Sequence, residues 1–130
     1  MFRPVRLHVH KVCHDQQGGV AITFAITAGL LLAIGGGVLD YGRATAVSAA
    51  LQKAADIAAI AAISAPNGTQ AERMAAAQQM FKSNYRYKAE YPVTPAITVA
   101  GRKATVSAEA AVPLYFLGVI GISSYNVATG

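Results

Sequence analysis

The chain has 130 residues, of which 54% are hydrophobic and 13% are charged. This length accommodates one small domain, and the apolar fraction excludes a disordered regulatory chain. The net charge of +5 would permit binding to nucleic acid or anionic lipid, and the single cysteine excludes an internal disulfide bond.

The first predicted element is a transmembrane helix over residues 16–39. No charged residue occurs in this run, and a helix of that length, about 36 Å, exceeds the hydrocarbon thickness of about 30 Å. Two alternatives are a buried helix of a soluble domain and a cleaved secretory signal. A signal has a hydrophobic region of about 7–15 residues before a polar mature start, whereas here Gly35-Gly36-Gly37 is followed by Val38-Leu39.

The flanking charges predict the orientation. Arg3, Arg6 and Lys11 precede the helix, and Arg43 and Lys53 follow it. Three basic residues before the helix against two after it is a small difference, but a short basic tail favours the cytoplasmic side. We therefore expect residues 1–15 to be cytoplasmic and the C-terminal part to be periplasmic.

The tail also contains a compact group of metal-ligand residue types, His10, Cys13 and His14. No fourth ligand lies nearby, so the ordinary interpretation is a juxtamembrane tail, and we predict no metal and no cofactor.

Residues 40–65 are predicted to continue the first helix beyond the membrane. Apolar residues recur at spacings of three and four from Ala44 to Ala61, which predicts one helix from about Gly19 to Ser64. The triple glycine is the place where this helix could bend or unwind, and Pro66-Asn67-Gly68 ends it.

Residues 66–130 are predicted to form a small α+β head. Thr69 and Glu72 form a capping box that opens a second helix to about Lys88. The predicted apolar stripe of this helix consists of Met74, Ala77, Phe81 and Tyr85. The tyrosines and basic residues of 82–91 could stack bases, but a solvated helix end is the more ordinary interpretation.

The period of the apolar pattern then changes to two, which predicts a β-hairpin. Its strands are Ile97–Val99 and Ala104–Val112, joined by a turn at Ala100–Lys103; Pro113 closes it, Leu114–Ile122 is an apolar linker, and Ser123–Ala128 adds a third strand.

Catalytic motifs are missing from the sequence. It contains no G-x-S-x-G, P-loop, dinucleotide-binding fingerprint, C-x-x-C or H-E-x-x-H motif, and all three histidines lie within the first 14 residues. We therefore predict that the protein is not an enzyme.

Two groups of residues are candidate interaction sites. The membrane exit motif consists of Asp40, Tyr41, Gly42 and Arg43; the tyrosine suits the interface, and Asp40 and Arg43 are expected to stay hydrated and to pair on one helix face. Small residues recur every fourth position within the transmembrane run, which predicts a helix-packing face, although chance is an equal explanation in a chain rich in alanine and glycine. These residues are Ala21, Ala25, Gly29, Ala33 and Gly37.

Three segments together resemble a known family. They are Asp15–Ala25, the end of the run from Val38 to Arg43, and Leu51–Ala59. They are similar to the N-terminal region of TadG-like (TadE/TadG) proteins of the bacterial tight-adherence, or Flp-type IVb, pilus machinery, and the pattern from Val106 to Ala128 is similar to the segment that follows. The resemblance implies an inner-membrane protein with a pilin-like helix and a periplasmic head that builds or anchors a pilus.

Two departures from related proteins limit what the resemblance implies. A prepilin-peptidase site has glycine before the cut and glutamate at the fifth position after it. If Gly18 and Gly19 flank a cut, the fifth position is Thr23, so processing there is doubtful. Long family members carry a D-x-S-x-S metal site, and this sequence contains no such motif.

The sequence thus predicts a single-pass α+β membrane protein with a long pilin-like N-terminal helix, a second helix and a small antiparallel sheet. Its expected function is pilus assembly or anchoring, with other pilus-assembly membrane proteins, pilins or a second copy as partners. The alternatives are a processed minor pilin or pseudopilin within the filament and, third, a membrane-anchored nucleic-acid-binding protein.

Overall fold

The computed structural model describes residues 16–65 and 67–129. Two helices are followed by four short strands, and a 3-10 helix precedes the last strand. The bounds are α1 Gln16–Ile63, α2 Gln70–Asn84, β1 Ala96–Ala100, β2 Lys103–Ser107, β3 Glu109–Pro113, the 3-10 helix Leu117–Ile120 and β4 Ser124–Ala128. This order confirms the predicted α+β class. The prediction that His10, Cys13 and His14 hold no metal concerns residues outside the described ranges.

The chain divides into two compact units, one ending at Gly35 and one spanning Gly36–Gly130. In the first unit, the described part is helical and its large apolar side chains are exposed; Phe24 is 72% and Leu32 is 69% exposed. Helix α1 is long and apolar enough to cross a membrane. A core helix of a soluble domain would be covered by its own chain, so the exposure of these side chains contradicts that alternative.

The core of the second unit lies between α1, α2 and the strands. From α1 it takes residues at spacings of three and four, and from each strand it takes one fully or nearly buried valine. The α1 residues are Ala44, Val47, Leu51, Ala54, Ala58 and Ala62, and the valines are Val99, Val106, Val112 and Val127. Ala61, which the sequence pattern placed on this face, is only partly buried, because the helix turns Ala62 inward instead.

Helix α2 begins with the predicted capping box. The Thr69 hydroxyl accepts from the Glu72 N–H at 3.3 Å, and the Glu72 carboxylate accepts from the Thr69 N–H at 2.8 Å. The helix ends at Asn84, earlier than predicted, because Tyr85 takes an extended backbone that buries its ring beside Phe81. Met74, which was predicted to share this stripe, is 38% exposed because α2 contacts the core through its later residues.

Arg73 of α2 joins the end of α1 to the first hairpin. Its Nε donates to the Ala62 carbonyl at 2.6 Å, and its Nη1 donates to the Gly101 carbonyl at 2.7 Å. The last carbonyls of a helix have no partner within the helix, so this side chain satisfies one of them. Gly101 itself has φ +57 in the two-residue turn between β1 and β2, a conformation that favours glycine.

The strands form two separate two-stranded antiparallel sheets rather than one sheet of three strands. β1 pairs with β2, and β3 pairs with β4. The predicted single strand over Ala104–Val112 is therefore wrong, because it is interrupted at Ala108. The Ala108 N–H donates to the Thr129 hydroxyl, and the Thr129 N–H donates to the Ala108 carbonyl, each at 3.0 Å. From Ala108 onwards the chain pairs with the last strand instead of with β1. The predicted third strand is β4, and it pairs with β3 in the second sheet.

Candidate functional site at the membrane exit

The main feature of the site is the buried carboxylate of Asp40 on α1. It binds the loop of residues 114–122, which connects β3 to β4, and holds this loop against the helix. Asp40 Oδ1 accepts from the Tyr115 N–H at 3.0 Å, and Oδ2 accepts from the N–H groups of Phe116 and Leu117 at 2.9 and 2.8 Å. Asp40 is 3% exposed. We call Asp40 with these three N–H groups the Asp40 clasp.

The clasp forms because these N–H groups lie at the start of the 3-10 helix Leu117–Ile120, where a helix has no internal partners for its donors. Burial of the carboxyl opposes its ionisation. The N–H groups of Leu117, Tyr115 and Phe116 outweigh that effect, with a smaller contribution from Arg43, and hold the pKa of Asp40 below its usual value. Asp40 is therefore ionised, and its carboxylate links α1 to the loop through charge-assisted hydrogen bonds.

This geometry corrects two expectations for the exit motif. Asp40 does not stay hydrated, because the loop covers it, and its carboxylate bonds to backbone rather than to Arg43. Arg43 instead pairs with Glu90. The remaining members of the motif are exposed; Tyr41 is 71% exposed, and a side chain at Gly42 would meet no neighbour.

Arg43 is the centre of a second, partly exposed group of interactions. Its guanidinium binds the Glu90 carboxylate and lies 4.8 Å from the Tyr115 ring centroid and 5.8 Å from that of Tyr91. The Tyr91 hydroxyl donates to Glu90 at 2.9 Å, and this bond, together with Arg43, lowers the pKa of Glu90. The exit motif thus contacts both the loop and the segment that follows α2.

Glycines of α1 let the loop approach the helix closely. A Cβ at Gly36 would lie 2.3–2.5 Å from the Phe116 side chain, and one at Gly37 would lie 3.5 Å from Leu117 Cδ2. The helix is unbroken through the triple glycine, which was predicted as a place for bending. Here Gly36 provides room for an aromatic ring.

The other predicted site residues lie on exposed helix surface. Ala21, Ala25, Gly29 and Ala33 are exposed, and a Cβ at Gly18, Gly19 or Gly29 would meet nothing within 4 Å. Gly37, the last residue of the predicted packing face, is contacted by the chain's own Leu117.

The three tyrosines of segment 82–91 are wholly or partly buried. Tyr85 and Tyr91 belong to the core, at 1% and 7% exposure. Tyr87 is partly buried, and its ring is covered by Arg86, whose guanidinium carbon lies 4.8 Å from the centroid. Two of the three tyrosines in this segment therefore contribute to the core.

Sequence reasoning missed the Asp40 clasp. The available signal was an acidic residue directly after an uncharged run, but its partners are backbone N–H groups more than 70 residues away, and these have no side-chain signature. Among residues 16–65 and 67–129, no three metal-ligand side chains come together.

Comparison with known families identifies a match to the first half of the chain. Residues 18–79, a little under half of the chain, match the family model described as "Putative Flp pilus-assembly TadE/G-like". This match confirms the resemblance seen in the sequence. No curated protein and no solved structure shows significant similarity to the chain.

Proposed function

From the TadE/G-like sequence of residues 18–79, we propose that this protein is a structural component of bacterial tight-adherence (Flp-type IVb) pilus assembly, anchored in the inner membrane. The observation that supports the proposal is that the family match covers an exposed apolar helix able to span a membrane. The role is structural rather than catalytic.

The proposed arrangement has residues 16–39 in the membrane, the basic tail 1–15 in the cytoplasm and the rest of the chain in the periplasm. Basic residues concentrate in short cytoplasmic segments, and Arg3, Arg6 and Lys11 lie in this tail. The large apolar side chains from Val20 to Leu39 are exposed. Exposure of such a long apolar run is unfavourable in water and favourable in the hydrocarbon core of a bilayer.

The proposed contact with other pilus-assembly membrane proteins, or with a second copy, uses the small-residue face of the span. Close approach of helix backbones is the main source of helix association in lipid, and small side chains permit it. Gly29→Leu together with Ala33→Leu should keep membrane insertion and reduce crosslinking to partners. The matched control is Leu31→Ile with Leu32→Ile, which keeps bulk on the neighbouring face; equal loss in both variants would contradict the proposed face.

The second candidate is a processed minor pilin that enters the filament. It is favoured by the same exposed apolar helix joined to a small α+β unit, since filaments are built by packing such helices. It requires cleavage near Gly18, where the fifth position after the cut is Thr23 rather than glutamate.

The experiment is deletion of the gene followed by complementation, with surface Flp pilin measured after shearing. We expect the deletion to abolish surface pilin and the parent chain to restore it. Asp40→Asn should restore it poorly, because one carboxylate oxygen becomes a donor facing N–H donors.

The matched control is Asp56→Asn, which removes an exposed carboxylate of the same helix. It should restore surface pilin fully at equal membrane abundance. Normal surface pilin in the deletion strain would contradict the proposed function.

A further inference from the structure

The segment from Leu114 to Ile122, which we call the apolar loop, exposes apolar side chains without any charged residue among them. Val119 is 87% exposed, Ile120 66% and Ile122 50%. Contiguous exposed apolar side chains on a folded unit mark an interaction surface.

The position of the loop along α1 indicates what covers this surface. Phe116 contacts Gly36 and Leu117 contacts Gly37, and both glycines precede the end of the uncharged run at Leu39. Gly36 lies four residues, or about 6 Å of helix rise, before Asp40. The loop therefore contacts α1 at a depth that lies within the proposed membrane span.

Seven of the nine backbone N–H groups of the loop donate hydrogen bonds within the protein. Three of its N–H groups donate to Asp40, and Leu114, Val119, Gly121 and Ile122 donate to carbonyls of Ser123, Phe116, Gly118 and Leu117 at 2.9–3.3 Å. A non-helical segment can enter hydrocarbon only if such groups are paired internally. Pairing of these N–H groups lowers the free-energy cost of placing the loop in lipid.

Two tyrosines and an arginine, one tyrosine in the loop and the other two residues on α1 beside it, are of the types found at membrane interfaces. Tyr41 and Tyr115 are 71% and 61% exposed, and the Arg43 guanidinium lies over the Tyr115 ring. Tyrosine collects at the headgroup level, where its ring and hydroxyl meet different environments.

We propose that the apolar loop inserts into the periplasmic leaflet of the bilayer that α1 spans, so that lipid covers Val119, Ile120 and Ile122. The inference rests on the proposed membrane span. It gives the Asp40 clasp a role beyond stability, because the clasp fixes the loop, and with it the C-terminal unit, at the membrane surface.

The test uses spin labels on the full chain in vesicles of phosphatidylethanolamine and phosphatidylglycerol. In a Cys13→Ser background, single cysteines are introduced by Val119→Cys in the loop, Leu32→Cys in the span and Arg102→Cys in the first hairpin. Each site is exposed, so the label should not disturb the fold. Collision with dissolved oxygen, which enriches in lipid, is compared with collision with a water-soluble nickel chelate.

We expect the Val119 label to favour oxygen, as the Leu32 label does, and the Arg102 label to favour nickel. A Val119 label that behaves like Arg102, with Leu32 in lipid, would overturn the inference and leave the anchor intact. Water exposure at Leu32 would overturn both. Shielding of Val119 from both reagents that disappears as lipid dilutes the protein would assign the loop to a second copy instead.

Discussion

Gly36 provides a sharp test of how the loop is seated, because two opposing effects act on the same substitution. Replacing an interior helix glycine by alanine stabilises a helix by about 1 kcal/mol. At Gly36, however, the new Cβ would lie 2.3–2.5 Å from three Phe116 side-chain atoms, including its Cβ, which cannot move freely. Overpacking of this kind costs about 1–3 kcal/mol. Gly36→Ala should therefore range from neutral to about 2 kcal/mol less stable than the parent chain.

Gly42→Ala is the matched control, since it lies in the same helix and a Cβ there meets nothing within 4 Å. It should gain about 1 kcal/mol, so the two variants should differ by about 1–3 kcal/mol. All six tyrosines and no tryptophan lie in the unit Gly36–Gly130, so tyrosine fluorescence during urea unfolding of the full chain in detergent reports on this unit.

A double-mutant cycle identifies the cause of the difference. Phe116→Gly removes all three atoms that the new Cβ would meet, so Gly36→Ala should become stabilising in that background, like Gly42→Ala. Equal stability of Gly36→Ala and Gly42→Ala in the parent background would refute the close seating of Phe116.

Three further predictions concern the core and the carboxylates. Tyr85→Phe should leave the free energy of unfolding unchanged or raise it by up to about 1 kcal/mol, because the buried Tyr85 hydroxyl has no hydrogen-bond partner in the described part of the chain; a loss above about 1 kcal/mol in urea unfolding would contradict this. Phe81→Ala should cost about 3–5 kcal/mol, whereas Met80→Ala, at a neighbouring exposed position, should cost less than about 1 kcal/mol; similar losses would contradict the assigned core. The pKa values of Asp40 and Glu90 are lowered on folding, so both carboxylates stabilise the fold above the usual carboxyl pKa range, and this stabilisation is lost as pH falls below about 4. The melting temperature should therefore fall with pH in this range, and it should fall less in Asp40→Asn than in the parent chain.

The parts of the fold that follow from local patterns were predictable from the sequence. The uncharged run, the spacing of apolar residues along α1 and the Thr69–Glu72 capping box each depend on neighbours within a few positions. The sheet arrangement was less predictable. Alternation continues through Ala108, and only its distant partner Thr129 shows that the chain changes sheet there.

The site was the least predictable part, because it depends on backbone groups. Nothing in the side chains of Tyr115, Phe116 or Leu117 indicates that their N–H groups face Asp40. An Asp–Arg spacing of three suggested a pair on one helix face, but an exposed pair of this kind contributes only about 0.2–0.5 kcal/mol. Three charge-assisted bonds to backbone donors are the stronger alternative once the loop approaches.

The most direct test of the central claim, that the chain is an uncleaved membrane-anchored assembly component, is its intact mass in the membrane fraction and in sheared filaments. The proposed function predicts a membrane-fraction chain that retains the residues before Gly19, including Arg3 and Arg6, and little of the chain in filaments. A mature N-terminus at Gly19 in filament material would contradict it and favour the processed minor pilin.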